Sequence, residues 1–551
     1  MKLKRTFLGP VLVVLVAFVS GGWLLQRGAG EGGGEPNAQI FSEVFQRVSR
    51  AYVEPHPSGE LYEMAIEGML QELGDPHTTF MTADEYNDLR IQTTGEYGGL
   101  GIQIAERNGW VTVIAPLPGT PAERAGLLAG DRIVEVEGES AAGWTSDDAV
   151  QALRGKKGEP AHIKIGRVGV DEPIPYTIVR DEIHVQSVPY SYLLDEGIGY
   201  ARLTLFSETS TQELRNAIDE LRGKGMESLI LDLRMNPGGL LDQGVSVSDL
   251  FLEEGEAIVE TRTRDPEDNQ VFRAPRGKEF PGMMVAVLVD EYSASAAEIV
   301  AGALQDHDEA LVVGATSFGK GSVQTLFPLS GGNFLKLTTG KWYTPSGRSI
   351  QKEPDRSRLG NPVELLDNEP ISEGGAPLTA ATDSTPPEAR EAYRTDSGRI
   401  VYGGGGIVPD LTVLPDTLTT AEREFFEAAS KAGSTYSDVV YRYAVEFARS
   451  TPDLDRFFVV TPAMHEEFFE RLTAAGVEVT REQFEGASDL IDQRLGYEIA
   501  LAAFGRGAAS QRATASDEVV STALELLRQA DSQEALFALA ERMENQATAS
   551  R

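Results

Sequence analysis

The sequence predicts a multidomain α/β protein: a core containing a parallel sheet, preceded by a helical segment and a small β-rich domain and followed by an all-α extension. Three observations predict it. Between Gly199 and Gly314, apolar strand-like runs alternate with helix-period segments, the mark of βαβ units. Residues 96–182 instead hold short strand-like runs broken by turns, and residues 416–551 carry a helical pattern throughout. The divisions expected are a membrane anchor at 1–26, a Gly-rich linker at 27–36, a helical domain at 37–95, the β-rich domain at 96–182, the core at 183–415 with a mobile insertion at 352–398, and the helical extension at 416–551.

The chain begins with Lys2, Lys4 and Arg5, followed by 19 uncharged residues from Phe7 to Leu25. About 20 apolar residues span a bilayer, and basic residues mark the cytoplasmic side. The expectation is an uncleaved single-pass anchor, with the remaining chain extracytoplasmic, in a periplasm. After the linker, Ile40, Phe41, Val44, Phe45, Val48 and Tyr52 recur on one helical face. Tyr62, Ala65, Ile66, Met69, Leu70 and Leu73 recur on another, closed by Gly74.

Composition narrows the chemistry. The 551 residues carry a net charge of −36, which argues against nucleic acid as a partner. The absence of cysteine excludes thiol catalysis and Cys-ligated metal, and the six histidines form no i,i+4 pair. No cofactor and no metal are expected.

In the core, the strands GYARLTLF (199–206), SLILDL (228–233), MVAVLVD (284–290) and ALVVG (310–314) are separated by helical segments, one of them opened by a capping box of Ser210 and Glu213. In a parallel sheet the strand C-termini gather on one edge, where ligands bind. Three loops leave such ends: NPGG after SLILDL, YSAS after MVAVLVD, and SFGKG after ALVVG. The last lies in GATSFGKGS, which nearly fits the phosphate-binding P-loop. Two mismatches decide against it. Gly321 stands where Ser or Thr would reach Mg²⁺, and SVQTLFPL reads as a strand where a helix would start.

Lys320 therefore needs another role. Ser295 opens a helix, whose macrodipole favours negative charge nearby. A serine nucleophile needs a base, and a lysine serves when burial lowers its pKa from ~10.4 toward 7–8. Gln324 lies four residues on, on the same face of the strand, so its amide can orient the amine. The paired glycines of NPGG let backbone N–H groups approach an oxyanion. Taken alone, each has a bland reading: Ser295 with Glu298 is a capping box, Lys320 a solvated side chain, NPGG a turn. Their convergence on one sheet edge argues for a Ser-Lys acyl-transfer site. Ser293 is the competing nucleophile, and His307 lies at the far end of the Ser295 helix.

Two resemblances add to this. The β-rich segment, with GLGI at its start and AGLLAGDRIVEVEG at its centre, resembles a PDZ domain. Its Gly99-Leu100-Gly101 loop exposes N–H groups suited to a terminal carboxylate, and the strand from Ile102 offers an edge to a peptide. The motifs DLRMNPGGLL, YSASAAEIVAGALQD, GATSFGKGSVQ, KWYTPSGRSIQ and GGIVPDLTV resemble those of the carboxyl-terminal processing peptidases, also called tail-specific proteases, over roughly 37–415. That resemblance implies a Ser-Lys endopeptidase with Ser295 as nucleophile, Lys320 as base and Gln324 as orienting residue. It implies oxyanion donors at Ala296 and at Gly238 or Gly239, and protein substrates with free apolar C-terminal tails. Ala297 departs from the family's S-A-S-A-S-E pattern, and the resemblance does not extend to 352–398 or 416–551. The extension is expected to serve self-association as a homo-oligomer, or partner binding. The rival readings are a catalytically silent PDZ scaffold on the same fold and a P-loop nucleotide binder.

Overall fold

Four strands of the core, Ile198–Arg202, Ser228–Asp232, Met284–Val289 and Leu311–Gly314, run parallel and lie side by side in sequence order. Leu411–Thr412 adds in parallel at one edge, and Tyr190–Asp195 antiparallel at the other. The computed structural model describes residues 34–107, 109–167, 170, 172–352, 390–414 and 418–549. Asp232 is level with Leu288, and Val289 with Gly314, so the ends that feed the three loops meet on one edge.

Strand order explains the layering. Right-handed crossovers between strands laid down in one direction put every connecting helix on the same face. Helices Ser210–Gly223, Leu241–Asp249 and Ala296–Asp306 accordingly share one core, with Leu214, Ile218, Val247, Ile299, Val300 and Leu304 against Leu229, Leu231, Val285 and Val287. Alternate residues of the same strands, Ile230, Ala286, Leu288, Leu311 and Val313, point the other way. Parallel strands need both faces covered. The second layer comes from the far end of the chain: Val519, Val520, Ala523, Leu526 and Leu527 of helix Glu518–Gln529, and Leu536 and Ala540 of helix Gln533–Ala549. The C-terminal extension is thus part of the core sandwich.

The strand expected after Lys320 is Ser322–Pro328, and it pairs with Phe334–Tyr343 in a five-stranded antiparallel sheet that the sequence pattern did not show. The short strand Thr79–Met81, from the N-terminal region, joins the same sheet with Thr79 opposite Lys336.

The β-rich segment forms its own sheet, in the order Ile102–Arg107, Trp110–Pro116, Arg132–Val136, Pro160–Gly166 and Ile174–Val179, with helices Pro121–Ala125 and Ser146–Leu153. It is held by the extension. Tyr441 donates its hydroxyl to the Val113 carbonyl (3.1 Å), and Arg449 donates to the Ala129 carbonyl (2.9 Å). Ile114 packs with Tyr441 and Val445.

Four features stand apart from the sequence pattern. The helix Ser210–Gly223 is not opened by a Ser210–Glu213 box: Glu213 accepts from Thr209 Oγ1 (2.6 Å), while the Ser210 hydroxyl is drawn to Ser187 and Ser207. In the N-terminal pair Gly34–Ala51 and Ser58–Gln71, Phe45 stacks on Tyr62 at 4.0 Å, but Ile40, Phe41, Val44, Val48 and Tyr52 face solvent. The single-pass, extracytoplasmic localisation is corrected: no helix among the described residues is long and apolar enough to cross a membrane, and the segment read as an anchor lies outside them. Residues 353–389 of the expected insertion also lie outside them. Its last part does not fit a mobile loop, because Ala392–Arg394 pairs with Ile400–Tyr402.

Candidate active site

Ser295 sits where the chain turns from strand Met284–Val289 into helix Ala296–Asp306. Its backbone has φ +55° and ψ −114°, a conformation that costs a non-glycine residue about 1–3 kcal/mol. Such strain persists where neighbours over-determine it. Here the Ala294 N–H donates to the Asn236 carbonyl (2.9 Å), and the Ser295 N–H to the Glu298 carboxylate (2.8 Å). Just upstream, Ser293 is fully buried and its hydroxyl donates to the Leu233 carbonyl (2.8 Å), which removes it as a rival nucleophile.

The NPGG turn packs directly on this serine. A Cβ on Gly238, whose φ is +94°, would lie 2.6 Å from Ala294 O, 2.7 Å from Ser295 Cβ and 2.9 Å from Ala296 N. No other residue fits there. Asn236, wholly buried, shapes the turn: its Nδ2 donates to the Leu203 carbonyl (2.7 Å), and its Oδ1 accepts the Gly238 N–H (2.8 Å). Gly239 follows, alongside Phe206.

Lys320 arrives on the loop after Leu311–Gly314, and Glu298 holds that loop. The Glu298 side chain is fully buried in the otherwise apolar first part of its helix, residues 296–304. It accepts from Ser317 Oγ (2.6 Å), Gly319 N (2.7 Å), Lys320 N (2.9 Å) and Ser295 N (2.8 Å). Burial pushes its pKa up to about 7, against the pull of those four donors. Close packing continues on the loop's other side, where a Cβ on Gly319 would lie 2.9 Å from Lys352 Cβ and 3.0 Å from Gly406 N.

The Lys320 amine titrates below the usual lysine range. Burial is the main cause and the charge of Lys336 the next, with Glu298 and Asp75 opposing. Lys336 is itself lowered by burial. His77, on the N-terminal loop before strand Thr79–Met81, is pushed down to about 4, first by burial and then by Lys320. Gln324 lies opposite Thr338, and its amide nitrogen donates to Ser322 Oγ (2.9 Å) and Thr338 Oγ1 (3.5 Å) rather than holding Lys320.

Of the residues singled out in the sequence, Ser295, Ala296, Gly238 and Gly239 meet at one point, and the Lys320 loop is tied to them through Glu298. Gly99 ends strand Glu96–Gly99, which pairs with Asp181–His184, and Ile102 opens the first strand of the small sheet, with Leu100 and Gly101 between them. Leu100 is buried, its carbonyl accepting from Ala122 N (2.9 Å), and Gly101 turns with φ +76° against Thr120. Ile102–Arg107 forms an edge of that sheet among the described residues, beside helix Ser146–Leu153. Among the described residues one group has metal-ligand chemistry: Glu256, His307 and Asp396. It lies at the far end of the Ser295 helix, and His307 bonds Asp396 and the Ala257 carbonyl, both at 2.7 Å.

Asn236, the wider role of Glu298, and Lys336 were not found from the sequence. A glutamate inside AAEIVAGAL signals a buried partner without naming it. Lys336 carries no signal, since only strand pairing across the second sheet brings it near Lys320.

Three segments of the chain resemble known families. The model of peptidase family S41 matches residues 197–357, that of the PDZ domain residues 88–166, and that of the activating protease CtpB N-terminal domain residues 27–85. A carboxy-terminal-processing protease of Bartonella bacilliformis is 46% identical over 315 residues, covering 56% of this chain and 72% of that one. Carboxy-terminal processing protease CtpA of Bacillus subtilis is 35% identical over 343 residues, covering 62% and 73%. Among solved structures, a photosystem II D1 C-terminal processing protease aligns at 29% identity with a TM-score of 0.33, covering 57% of this chain and 92% of that one. The chain belongs to peptidase family S41, among the carboxy-terminal processing proteases, and is a PDZ-containing serine peptidase.

Proposed function

We propose that Ser295 and Lys320 form the catalytic dyad of an endopeptidase that cuts protein substrates near their C-termini, with the PDZ domain holding the substrate tail. The observation that carries this reading is the Glu298 carboxylate, which binds the backbones of both residues. The neutral Lys320 amine takes the Ser295 hydroxyl proton as Oγ attacks the scissile carbonyl. The resulting oxyanion is met by the Ala296 N–H at the helix N-terminus and by Gly239, because the Gly238 N–H is already engaged by Asn236. Lys320 then passes its proton to the leaving amine. A water, deprotonated by the same amine, releases the acyl group and restores the serine. Gln324, with its nitrogen side held by Ser322, offers its amide oxygen to the ammonium form.

The tail enters as an added strand along Ile102–Arg107, its carboxylate taken by N–H groups of the Gly99-Leu100-Gly101-Ile102 loop. Ile102 and Ile104, beside Ala149 and Leu153, supply an apolar pocket for the last side chain. A fluorophosphonate probe tests the nucleophile. The adduct should map to Ser295 and should be lost or strongly slowed in Lys320→Ala. An adduct elsewhere, or undiminished labelling of the lysine variant, contradicts the dyad.

A further inference from the structure

The residue that leads into the NPGG turn is anchored from outside the family core. Arg234 follows strand Ser228–Asp232 and grips the strand's last residue, its Nε and Nη2 donating to Asp232 at 3.0 and 2.7 Å. Tyr200 donates its hydroxyl to the same buried carboxylate at 2.7 Å. The remaining guanidinium nitrogen, Nη1, reaches 283 residues along the chain to Asp517, 2.8 and 3.1 Å from its two oxygens. Asp517 is the N-cap of helix Glu518–Gln529, its Oδ1 accepting the Val520 N–H at 3.0 Å. That helix lies on the sheet face the core's own crossovers leave bare.

The turn needs such anchoring. Met235, next in sequence, is a non-glycine residue at φ +58°, and its N–H donates to the Asp290 carboxylate (2.9 Å). Its direction sets Asn236, which in turn holds both the Gly238 N–H and the Ala294 N–H. A strained backbone keeps its conformation only while both ends are fixed. Asp290 and Arg234 fix the chain on the N-terminal side of Met235, and Asn236, bonded to the Leu233 and Leu203 carbonyls, fixes it on the other. An oxyanion donor acts through its geometry, so a small displacement of the turn costs rate while leaving substrate binding alone.

We propose that Arg234 and Asp517 are a positioning pair for the oxyanion turn, which makes the C-terminal extension a working part of the active site. This rests on the donor role proposed above for Gly239 and Ala296. The pair acts through Met235 and Asn236 and touches no reacting atom. Arg234 alone could be set by Asp232, but that bond stays within one strand end. Asp517 ties the guanidinium to a separate helical layer, and so fixes it against the sheet as a whole.

The test uses the full chain and a short peptide substrate with a free apolar C-terminus, with wild type and Ser295→Ala as references. Asp517→Asn keeps the helix cap, since asparagine caps as well as aspartate, and removes the charge from Arg234. Its kcat should fall about tenfold with KM within twofold. Binding of a peptidyl boronic acid, which presents a tetrahedral centre to the turn, should weaken in the same proportion. Asp517→Glu should restore much of both. Arg528→Gln removes another ion pair between extension and core, to Asp195, away from the turn, and should leave kcat unchanged. Unaltered kcat in Asp517→Asn, an equal loss in Arg528→Gln, or a loss carried by KM alone overturns the positioning role. Activity remaining in Ser295→Ala would instead overturn the catalytic reading on which it rests.

Discussion

Ser295 and Lys320 donate their backbone N–H groups to the same oxygen of Glu298, at 2.8 and 2.9 Å. Twenty-five positions apart in the chain, they are held together by one buried carboxylate that also takes Ser317 Oγ and Gly319 N on its other oxygen. Each oxygen of the carboxylate therefore accepts two donors. Glu298→Gln would turn an NH₂ donor against two of those groups. It should cost roughly 3 kcal/mol of stability and most of the activity, because buried donors lose their partner. Urea unfolding and peptide turnover check this, and near-wild-type values for both would show that the clasp is dispensable.

The second expectation concerns pH. In the proposed dyad Lys320 must be neutral to accept a proton, so activity should rise with pH through its lowered pKa. Lys336 contributes to that lowering through its positive charge. Removing it as Lys336→Gln raises the Lys320 pKa, so the rising limb of kcat/KM should move to higher pH. A limb that stays in place, or moves to lower pH, would show that Lys336 does not act on the base.

Glu298 has a linkage consequence of opposite kind. Burial raises its folded pKa from the ordinary carboxylate range to about 7, so across that window the folded state binds the proton more strongly than the unfolded chain. Its contribution to stability is therefore most favourable at low pH and is lost as pH rises toward 7. Stability of Glu298→Gln should lack that component, and the difference between wild type and variant, followed by urea unfolding from pH 5 to 8, should vary with pH in this sense. A difference independent of pH would place the Glu298 titration elsewhere.

On the proposed reading, the Gly99–Ile102 loop sets substrate choice. A carboxylate-binding loop distinguishes a free C-terminus from an amide, whereas backbone pairing along Ile102–Arg107 tolerates varied sequence. Amidating the C-terminus of an otherwise identical unstructured substrate, or ending it in Asp-Asp, should slow cleavage. Equal rates for amidated and free tails would mean that the PDZ domain does not read the terminus.

The extension should prove inseparable from the core. Ending the chain at residue 414 bares Ile230, Ala286, Leu288, Leu311 and Val313 on one sheet face. An exposed apolar surface of this kind drives aggregation. The truncated chain should be insoluble or bind a hydrophobic dye strongly, and a soluble monomer melting like the full chain would contradict the sandwich described here.

Much of this was legible in the sequence because it is local. The strand and helix runs of 199–314, the small β-rich sheet, the helix opened by Ser295 and the strand after Lys320 are each written in periodicity and turn residues. What escaped is non-local. Lys336 reaches the Lys320 environment only through antiparallel pairing with Ser322–Pro328 and Thr79–Met81. Arg234 finds Asp517 across most of the core and extension. The role of the extension follows from strand order: strands in monotonic order leave one face bare, and SLILD is buried at every position. The N-terminal stripe is legible only in part. Its period predicts a helix correctly but does not say what covers the face, and Ile40, Phe41, Val44, Val48 and Tyr52 face solvent.

The dyad itself is tested most directly by intact-mass analysis of an unstructured protein with a free apolar C-terminal tail, incubated with wild type, Ser295→Ala, Lys320→Ala and Lys320→Arg. Wild type should release C-terminal fragments and leave defined shortened products. All three variants should leave the substrate at its full mass while remaining folded, and Lys320→Arg is the most informative, since a guanidinium keeps the charge but cannot give up its proton to act as a base. Cleavage by Lys320→Arg or by Ser295→Ala at a rate near wild type would contradict a Ser295–Lys320 mechanism.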